Sequence, residues 1–187
     1  MRIDLHCHTR YSRDSLMSFQ ALVQWMDRRG LDKVAITDHN TMAGARDFSA
    51  RAPERFLIGE EIKSTHGDLI AFFIQEEVPP GLSPEETIDR VHAQGGLVGA
   101  AHPLDQGRGA GLGAEMLEAL HFKLDFIEVF NARTHVARNN LQAREMASRW
   151  GLPGSAGSDA HAPFEVGRAY VEMPTFDDPG SFLESLA

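Results

Sequence analysis

Short apolar runs typical of β-strands alternate with amphipathic segments typical of α-helices along most of the 187 residues. We predict strands at 2–6, 33–37, 56–61, 68–74, 97–101, 125–130, 152–156 and 168–173. We predict helices at 18–29, 43–51, 84–94, 114–122 and 136–150, and a last one after residue 179. Strands that alternate with helices are joined by right-handed crossovers, so this order indicates a largely parallel sheet in a single domain over residues 1–187. The third and fourth predicted strands follow each other directly, which indicates a hairpin.

The first strand carries the run Asp4-Leu5-His6-Cys7-His8. In a regular strand alternate side chains share a face, so Asp4, His6 and His8 are expected to point one way and Leu5 and Cys7 the other. Two imidazoles on one face can bind a single metal ion, with a carboxylate beside them as a co-ligand or an orienting group. The same short pattern also arises by chance, so it predicts a metal site only together with other residues.

Further polar side chains follow the carboxyl ends of the predicted strands. They are His6 and His8 (first strand), Asp38 and His39 (second), Glu61 (third), His102 (fifth), Glu128 (sixth), and Asp159 and His161 (seventh). In a closed α/β barrel the loops at this end converge, whereas in an open sheet only those near the switch point meet. We therefore predict a barrel with a metal centre at this end. Imidazole and carboxylate ligands suit zinc, iron or manganese.

Net charge, cysteine content and the lengths of apolar runs restrict the binding partners and the cellular location to be expected. The formal net charge of −9 argues against an extended nucleic-acid surface, because such surfaces are usually basic. The single cysteine, Cys7, rules out an internal disulfide and fits a reducing compartment. Since there is also no membrane-length apolar run and no signal peptide, we expect a cytoplasmic protein with a small substrate and no membrane partner. The oligomeric state is left open.

The runs DLHCHT, ITDHN, GEEI, AAHP and GSDAH, in this order and at this spacing, resemble the PHP (polymerase and histidinol phosphatase) superfamily of metal-dependent phosphoesterases. The resemblance extends from Asp4 to about Gly167. It implies a distorted (β/α)7 TIM-like barrel that holds two or three divalent ions. It also implies hydrolysis of a small phosphate mono- or diester by a metal-activated hydroxide.

The resemblance implies a ligand set for each ion. The first ion is bound by His6, His8, Glu61 and Asp159, the second by Glu61 and His102, and the third by Asp14, His39 and His161. Asp4 and Asp38 are implied to orient the histidines. Many relatives carry a further histidine in the fourth strand, where this chain has Ala71 as the nearest match. The second ion is therefore weakly bound, completed by His135 or water, or absent.

Catalytic and substrate-binding residues are also predicted. His161 or His39 is a candidate proton donor to the leaving group, and hydrolysis is expected to require Asp159 and His8. Candidate phosphate anchors are Arg13, Lys63, Arg108 and Arg133, because guanidinium and ammonium groups match phosphate. Glu128, Asn131 and His135 are further candidates for substrate contact. Two alternatives remain: an amidohydrolase-like metal-dependent hydrolase, and a non-catalytic metal-binding domain.

Overall fold

The computed structural model describes residues 1–187, except for the side chain of Arg108. The strands are β1 (Arg2–Cys7), β2 (Lys33–Ile36), β3 (Phe56–Lys63), β4 (Asp68–Phe72), β5 (Leu97–Ala100), β6 (Phe126–Asn131), β7 (Gly154–Gly157) and β8 (Val171–Glu172). The helices are α1 (Phe19–Arg29), α2 (Ala43–Arg51), α3 (Pro84–His92), α4 (Ala114–Leu120), α5 (Ala137–Trp150) and α6 (Pro179–Leu186). Within the described chain, no helix combines the length and apolar character needed to cross a membrane. The single-domain organisation stays a prediction.

The strands form one sheet in the order β7-β6-β5-β4-β3-β2-β1-β8. The pairs are parallel, except that β4 runs antiparallel to both β3 and β5, and the short β8 runs antiparallel to β1. Strand β7 returns to β1 through a parallel bridge between Cys7 and Ala160. The backbone N–H of Asp159 donates to the carbonyl of His6 at 2.8 Å at this junction. The sheet is therefore a nearly closed barrel, and the predicted fold class is confirmed.

Local sequence explains where several helices begin and end. The Ser83 side chain and Glu86 form a reciprocal capping box at the start of α3, with Pro84 at the first helical position. Ser18 caps α1 with its side-chain oxygen, which accepts from the backbone N–H of Ala21. That helix ends at Gly30, which has a φ of 65° that glycine adopts without strain. These signals are local, which is why the helix positions could be predicted closely.

The interior of the barrel is apolar at one end. Its buried residues come from the amino ends of the parallel strands and the carboxyl end of β4, and include Ile3, Leu57, Phe72, Leu97 and Phe126. Phe182 of α6 packs against the ring of Phe72 with centroids 5.6 Å apart and covers this end. The opposite end, where the carboxyl ends of the parallel strands lie, is left for polar residues. We call it the mouth of the barrel.

The expected alternation along β1 is wrong. The register with β2 shifts between Asp4 and Cys7, so an extra residue of β1 is accommodated in a bulge. Leu5 packs with the barrel interior, while Cys7 packs with the cluster that contains Met17 and Val34 under α1 and α2. The two residues therefore do not share a face. The bulge lies between Asp4 and Cys7 and so includes His6.

Candidate metal centre

Four side chains at the mouth place their ligand atoms around one point. His6 Nε2 and His8 Nε2 are 3.1 Å apart, and they lie 3.4 and 3.2 Å from Glu61 Oε2. The same two nitrogens lie 3.7 and 3.3 Å from Asp159 Oδ1. Ligand atoms placed tetrahedrally at about 2.1 Å from a metal ion are about 3.4 Å from one another. These five spacings are those expected of atoms that bind one metal ion.

A second group of donors lies beside the first. One nitrogen of each of His8, His39 and His161 falls within 4.8 Å of the others. Asp14 Oδ2 is 3.5 Å from His39 Nε2 and 3.2 Å from His161 Nε2. The structure thus brings together Asp14, His39 and His161, as expected for a further ion.

A third group contains a residue that the sequence analysis missed. Glu61, Asp68 and His102 have ligand atoms within 4.8 Å of one another. Asp68 is the first residue of β4, and because β4 is antiparallel, its amino end lies at the mouth. The family resemblance implied a histidine ligand further along the strand, where this chain has Ala71. The hairpin predicted between the third and fourth strands could have identified Asp68. A hairpin reverses the chain direction, so the first residue of β4 lies at the mouth.

Neighbouring side chains orient the imidazoles. His6 Nδ1 donates to Glu128 Oε1 at 3.0 Å. The Ser12 hydroxyl donates to Asp38 at 2.8 Å, so its oxygen is free to accept from His8 Nδ1 at 3.3 Å. In both histidines Nδ1 is engaged in this way, and Nε2 is turned towards the shared point, where it would bind a cation in place of its proton.

The two aspartates predicted to orient histidines act differently. Asp38 accepts hydrogen bonds from the backbone and hydroxyl of Thr9 and reaches the His8 ring through Ser12. Asp4 accepts from the backbone N–H groups of His6, Ser158 and Gly167, at 3.3, 2.9 and 3.0 Å. Asp4 therefore fixes the backbone at the junction of β1 and β7, and none of these bonds reaches an imidazole.

The centre is electrostatically coupled. Burial opposes the charged form of His6, but Glu128, Glu61 and Asp159 hold its pKa well above the ordinary value. Burial would raise the pKa of Asp159, but His6 and His8 hold it well below its usual range. In His161, burial and the nearby His8 lower the pKa to about 4, so its ring is neutral at pH 7. Anionic carboxylates and neutral imidazoles are the forms that bind cations.

Two residues of the centre have an unusual backbone conformation. His102 has a φ of 26° and Asp159 a φ of 53°, in the left-handed region that non-glycine residues rarely adopt. Such residues cost about 1–3 kcal/mol each and cluster at functional sites. Each lies two residues past the end of a strand at the mouth, where the strained backbone fixes the direction of the side chain.

The candidate substrate-binding residues are placed differently from one another. The guanidinium of Arg133 contacts His161 Nδ1 and lies 4.0 Å from Asp159 Oδ1, with about 36% of the side chain exposed. Arg13, Lys63 and His135 are exposed, and the Arg108 side chain lies outside the described residues. Among the described residues, no group with metal-binding geometry includes His135. Of the predicted anchors, Arg133 is the one that the described contacts place beside the ligands.

Glu128 and Asn131 are buried, at 1% exposure each. The second oxygen of Glu128 accepts from the backbone N–H of His102 at 2.6 Å and from Asn131 Nδ2 at 3.1 Å. Asn131 Nδ2 also lies 3.3 Å from Asp159 Oδ2. Because these groups are engaged with the ligands, we interpret both residues as supports of the centre and not as the substrate contacts expected from the sequence.

Comparison with known proteins identifies the family. The model of the PHP domain matches residues 4–95, and a PHP-associated model matches residues 137–187. Two proteins of Methanocaldococcus jannaschii are similar. The uncharacterized protein MJ1587 is 39% identical over 71% of this chain and 82% of its own length. The uncharacterized protein MJ0417 is 34% identical over 100% of this chain and 79% of its own length. This chain belongs to the PHP family.

Solved structures share the PHP fold. A protein of Bifidobacterium adolescentis classed as a metal-dependent phosphoesterase has a TM-score of 0.73 at 22% identity, over 98% of this chain and 95% of its own. An amidohydrolase from Chromobacterium violaceum has a TM-score of 0.73 at 21% identity, over 97% and 95%. The lesion-specific endonuclease PfuEndoQ from Pyrococcus furiosus has a TM-score of 0.77 at 18% identity, over 100% and 56%. At these identities the likeness concerns the fold of the PHP chain alone.

The residues of this PHP chain fit divalent metal ions. The set of buried imidazoles and carboxylates has the spacing of a coordination sphere. Within the described part of the chain, two buried atoms of the third group, Asp68 Oδ1 and His102 Nδ1, have no hydrogen-bond partner. Buried polar atoms without a partner are costly, and a bound cation offsets such a cost.

Proposed function

We propose that this protein is a metal-dependent phosphoesterase that hydrolyses a small phosphate mono- or diester. The observation that carries the proposal is the cluster of buried ligand atoms of His6, His8, Glu61 and Asp159, with the guanidinium of Arg133 at its edge. The proposal includes two or three ions of zinc, manganese or iron. It also includes a small phosphorylated partner and a reducing, cytoplasmic location.

The chemistry divides between the ions and the chain. Divalent ions held at this mouth supply Lewis acidity and a nucleophile derived from water at neutral pH. Arg133 presents its guanidinium beside His161 and Asp159, partly open to solvent, and a phosphate group at the mouth would accept its hydrogen bonds. We expect Arg133 to orient the phosphate and to stabilise the negative charge that develops on its oxygens.

His161 and His39 are better suited to bind ions than to donate a proton. The lowered pKa of His161, caused by burial and by His8, keeps its ring neutral at pH 7. His39 has Nδ1 at 2.9 Å from Glu61 Oε2 and Nε2 at 3.5 Å from Asp14 Oδ2, so both nitrogens face carboxylates of the centre. We therefore favour a ligand role for both residues over the proton donation considered from the sequence.

Three alternative functions compete with this proposal. An amidohydrolase-like reaction would use a similar barrel, and an amidohydrolase shares the fold at 21% identity. A non-catalytic domain would keep the ions for stability alone. The net charge of −9 makes an extended nucleic-acid substrate, such as a lesion-specific endonuclease uses, the least favourable.

The test is an assay of the purified chain after removal of metals and reloading with manganese, zinc or iron. A mononucleotide, a sugar phosphate, a phosphodiester, an amide and a DNA duplex would be compared. We expect release of phosphate or a phosphate monoester from at least one ester. His8→Ala and Asp159→Ala should each abolish turnover, by at least about 100-fold, and lower the bound metal. The exposed Arg149→Ala serves as the control. Metal-loaded protein that cleaves the amide or none of the substrates would refute the proposal.

A further inference from the structure

Asp68 enters the centre from β4, which runs antiparallel to both of its neighbours in the sheet. It pairs with Lys63 at the open end of the β3–β4 hairpin, two pairs away from Glu61 and Ile70. Its backbone N–H donates to the carbonyl of Ala110 at 2.7 Å, and its carbonyl accepts from Ala101 at 3.2 Å. The loop that follows β5 and the strand itself therefore hold the Asp68 backbone in place beside His102.

One oxygen of the Asp68 carboxylate, Oδ1, is buried at the centre without a hydrogen-bond partner among the described residues. Asp68 is 6% exposed and His102 4% exposed. Asp68 Oδ1 and His102 Nδ1 both lack hydrogen-bond partners in the portion of the chain that is described. The remaining member, Glu61, has Oε1 at 2.8 Å from His102 Nε2. A buried carboxylate oxygen without a partner costs about 1–3 kcal/mol, more when it is charged, and a cation held by this group would remove that cost.

The donors of this group differ from those of its neighbour. Glu61, Asp68 and His102 offer two carboxylates and one imidazole. The neighbouring group offers two imidazoles, those of His39 and His161, and the carboxylate of Asp14, with the His8 ring beside them. Carboxylate-rich sites suit manganese and magnesium, whereas imidazole suits zinc and iron, so ligand type separates metals whose raw affinities would otherwise follow one order.

We propose that Asp68 is a ligand and makes the Glu61–Asp68–His102 position selective for a hard ion such as Mn²⁺, so that the centre holds two kinds of ion. The carboxylate-rich position would take Mn²⁺ while the imidazole-rich position takes Zn²⁺. This inference rests on the metal centre of the proposed function, but it does not depend on which bond, if any, the protein hydrolyses.

The experiment measures bound metal in the full chain. Metal-free protein would be dialysed against buffered Mn²⁺ and Zn²⁺, with free Mn²⁺ in excess by about 1,000-fold because a given site binds Zn²⁺ more tightly, and both metals would be quantified by mass spectrometry. Asp68→Asn keeps the shape and removes the charge, and Asp68→His replaces the carboxylate by an imidazole. Asp125→Asn is the matched control, because Asp125 is a partly buried carboxylate at the amino end of β6, away from the mouth.

We expect the wild-type chain and Asp125→Asn to bind both metals. Asp68→Asn should lose about one equivalent of Mn²⁺ and keep its Zn²⁺. Asp68→His should exchange Mn²⁺ for Zn²⁺, with the bound Zn²⁺ to Mn²⁺ ratio rising by about tenfold or more. An unchanged ratio in both Asp68 variants would overturn the proposal.

A measurement on the wild-type chain guards against variants that fail to fold. Crystals of protein loaded with both metals would be examined by anomalous scattering at the Mn and Zn edges. A manganese peak next to Asp68 supports the proposal, and zinc alone or no ion there overturns it. A chain that binds metals in this way but cleaves no ester would overturn only the proposed function. A chain that cleaves esters with an unchanged metal ratio in the variants would overturn only this inference.

Discussion

Glu60 and Glu61 are adjacent in β3, but they have opposite environments. Glu61 lies among the imidazoles of the centre, and His6 and His102 hold its pKa well below the usual range although burial would raise it. Glu60 is completely buried on the other side of the strand, and one of its oxygens accepts from the Val78 N–H at 3.0 Å. Its other oxygen has no partner among the described residues. Burial raises the pKa of Glu60 to about 7, against the opposing effect of the Val78 bond.

Replacement of this carboxyl should make stability less dependent on pH. The pKa of Glu60 is about 7 in the folded chain and 4.5 for a glutamate exposed to water, so between these values the folded state binds more protons than the unfolded state. Stability should therefore fall as pH rises through this window. Glu60→Gln does not titrate, and above pH 7 it should be more stable than the wild type by up to about 3 kcal/mol. Urea unfolding at pH 5 and pH 8 measures the difference. Equal gains at both pH values, or a similar gain for the exposed Glu54→Gln control, would contradict the assignment.

Arg133 is the residue whose loss should affect binding of substrate most directly. Its guanidinium lies beside His161 and Asp159 at the mouth. Since a hydrogen bond to a charged group contributes about 1.5–3 kcal/mol, Arg133→Ala should lower kcat/KM by about 10- to 100-fold. Steady-state kinetics on the ester found active would show this, with bound metal unchanged. The same kinetics for Arg149→Ala should match the wild type, and an Arg133→Ala enzyme of normal efficiency would exclude phosphate binding by this residue.

At the scale of the elements, strand β7 approaches β1 closely because Gly157 has no side chain. A Cβ at this position would lie 2.2 Å from His6 Cβ and 2.8 Å from His6 N. A Cβ at Gly99 in β5 would lie 2.2 Å from the Phe126 ring, in the apolar interior away from the ligands. An added Cβ would thus be equally crowded at both positions, but it would meet His6 at Gly157 and Phe126 at Gly99.

Gly157→Ala and Gly99→Ala should separate barrel packing from metal binding. We expect each to lower the free energy of unfolding by about 1–3 kcal/mol, because overpacking shifts neighbouring atoms. Gly157→Ala should also displace His6 and lower the bound metal, whereas Gly99→Ala should leave it unchanged. Metal analysis and denaturant unfolding of both variants would check this. Equal metal content in the two variants would show that His6 is not positioned by this contact.

Much of the element order could be predicted from the sequence, because its signals are local. Ser18 and Gly30 mark the two ends of α1, and polar residues after each apolar run mark the mouth. The bulge in β1 could not be predicted, since it depends on pairing with β2. Asp68 was missed for a related reason: its position at the mouth follows from the direction of β4, and not from its distance to any other ligand in the sequence. The sequence did not distinguish Arg133 from the other three candidate phosphate anchors, because its place beside His161 depends on the folded structure.

The stability of the whole fold depends on the metal centre, because the ligands come from β1, β3, β4, β7 and the loops beside them. An ion that binds only the folded chain stabilises it by about 3 kcal/mol at 100 times the dissociation constant. For a chain of this size we expect chelation to lower the melting temperature by about 5–10 °C. Thermal scans with and without chelator measure this shift. Asp159→Ala should show a much smaller shift, and an equal shift in that variant would mean that the chelator acts elsewhere.

The junction between β1 and β7 joins residues that are synthesised far apart in time. His6 and His8 leave the ribosome more than 150 residues before the segment around Asp159 that pairs with them. The first strand must therefore wait, exposed along one edge, while the rest of the sheet forms. We expect nascent chains that stop before residue 157 to have an open sheet that recruits chaperones, and ions to be captured firmly only once translation has passed His161.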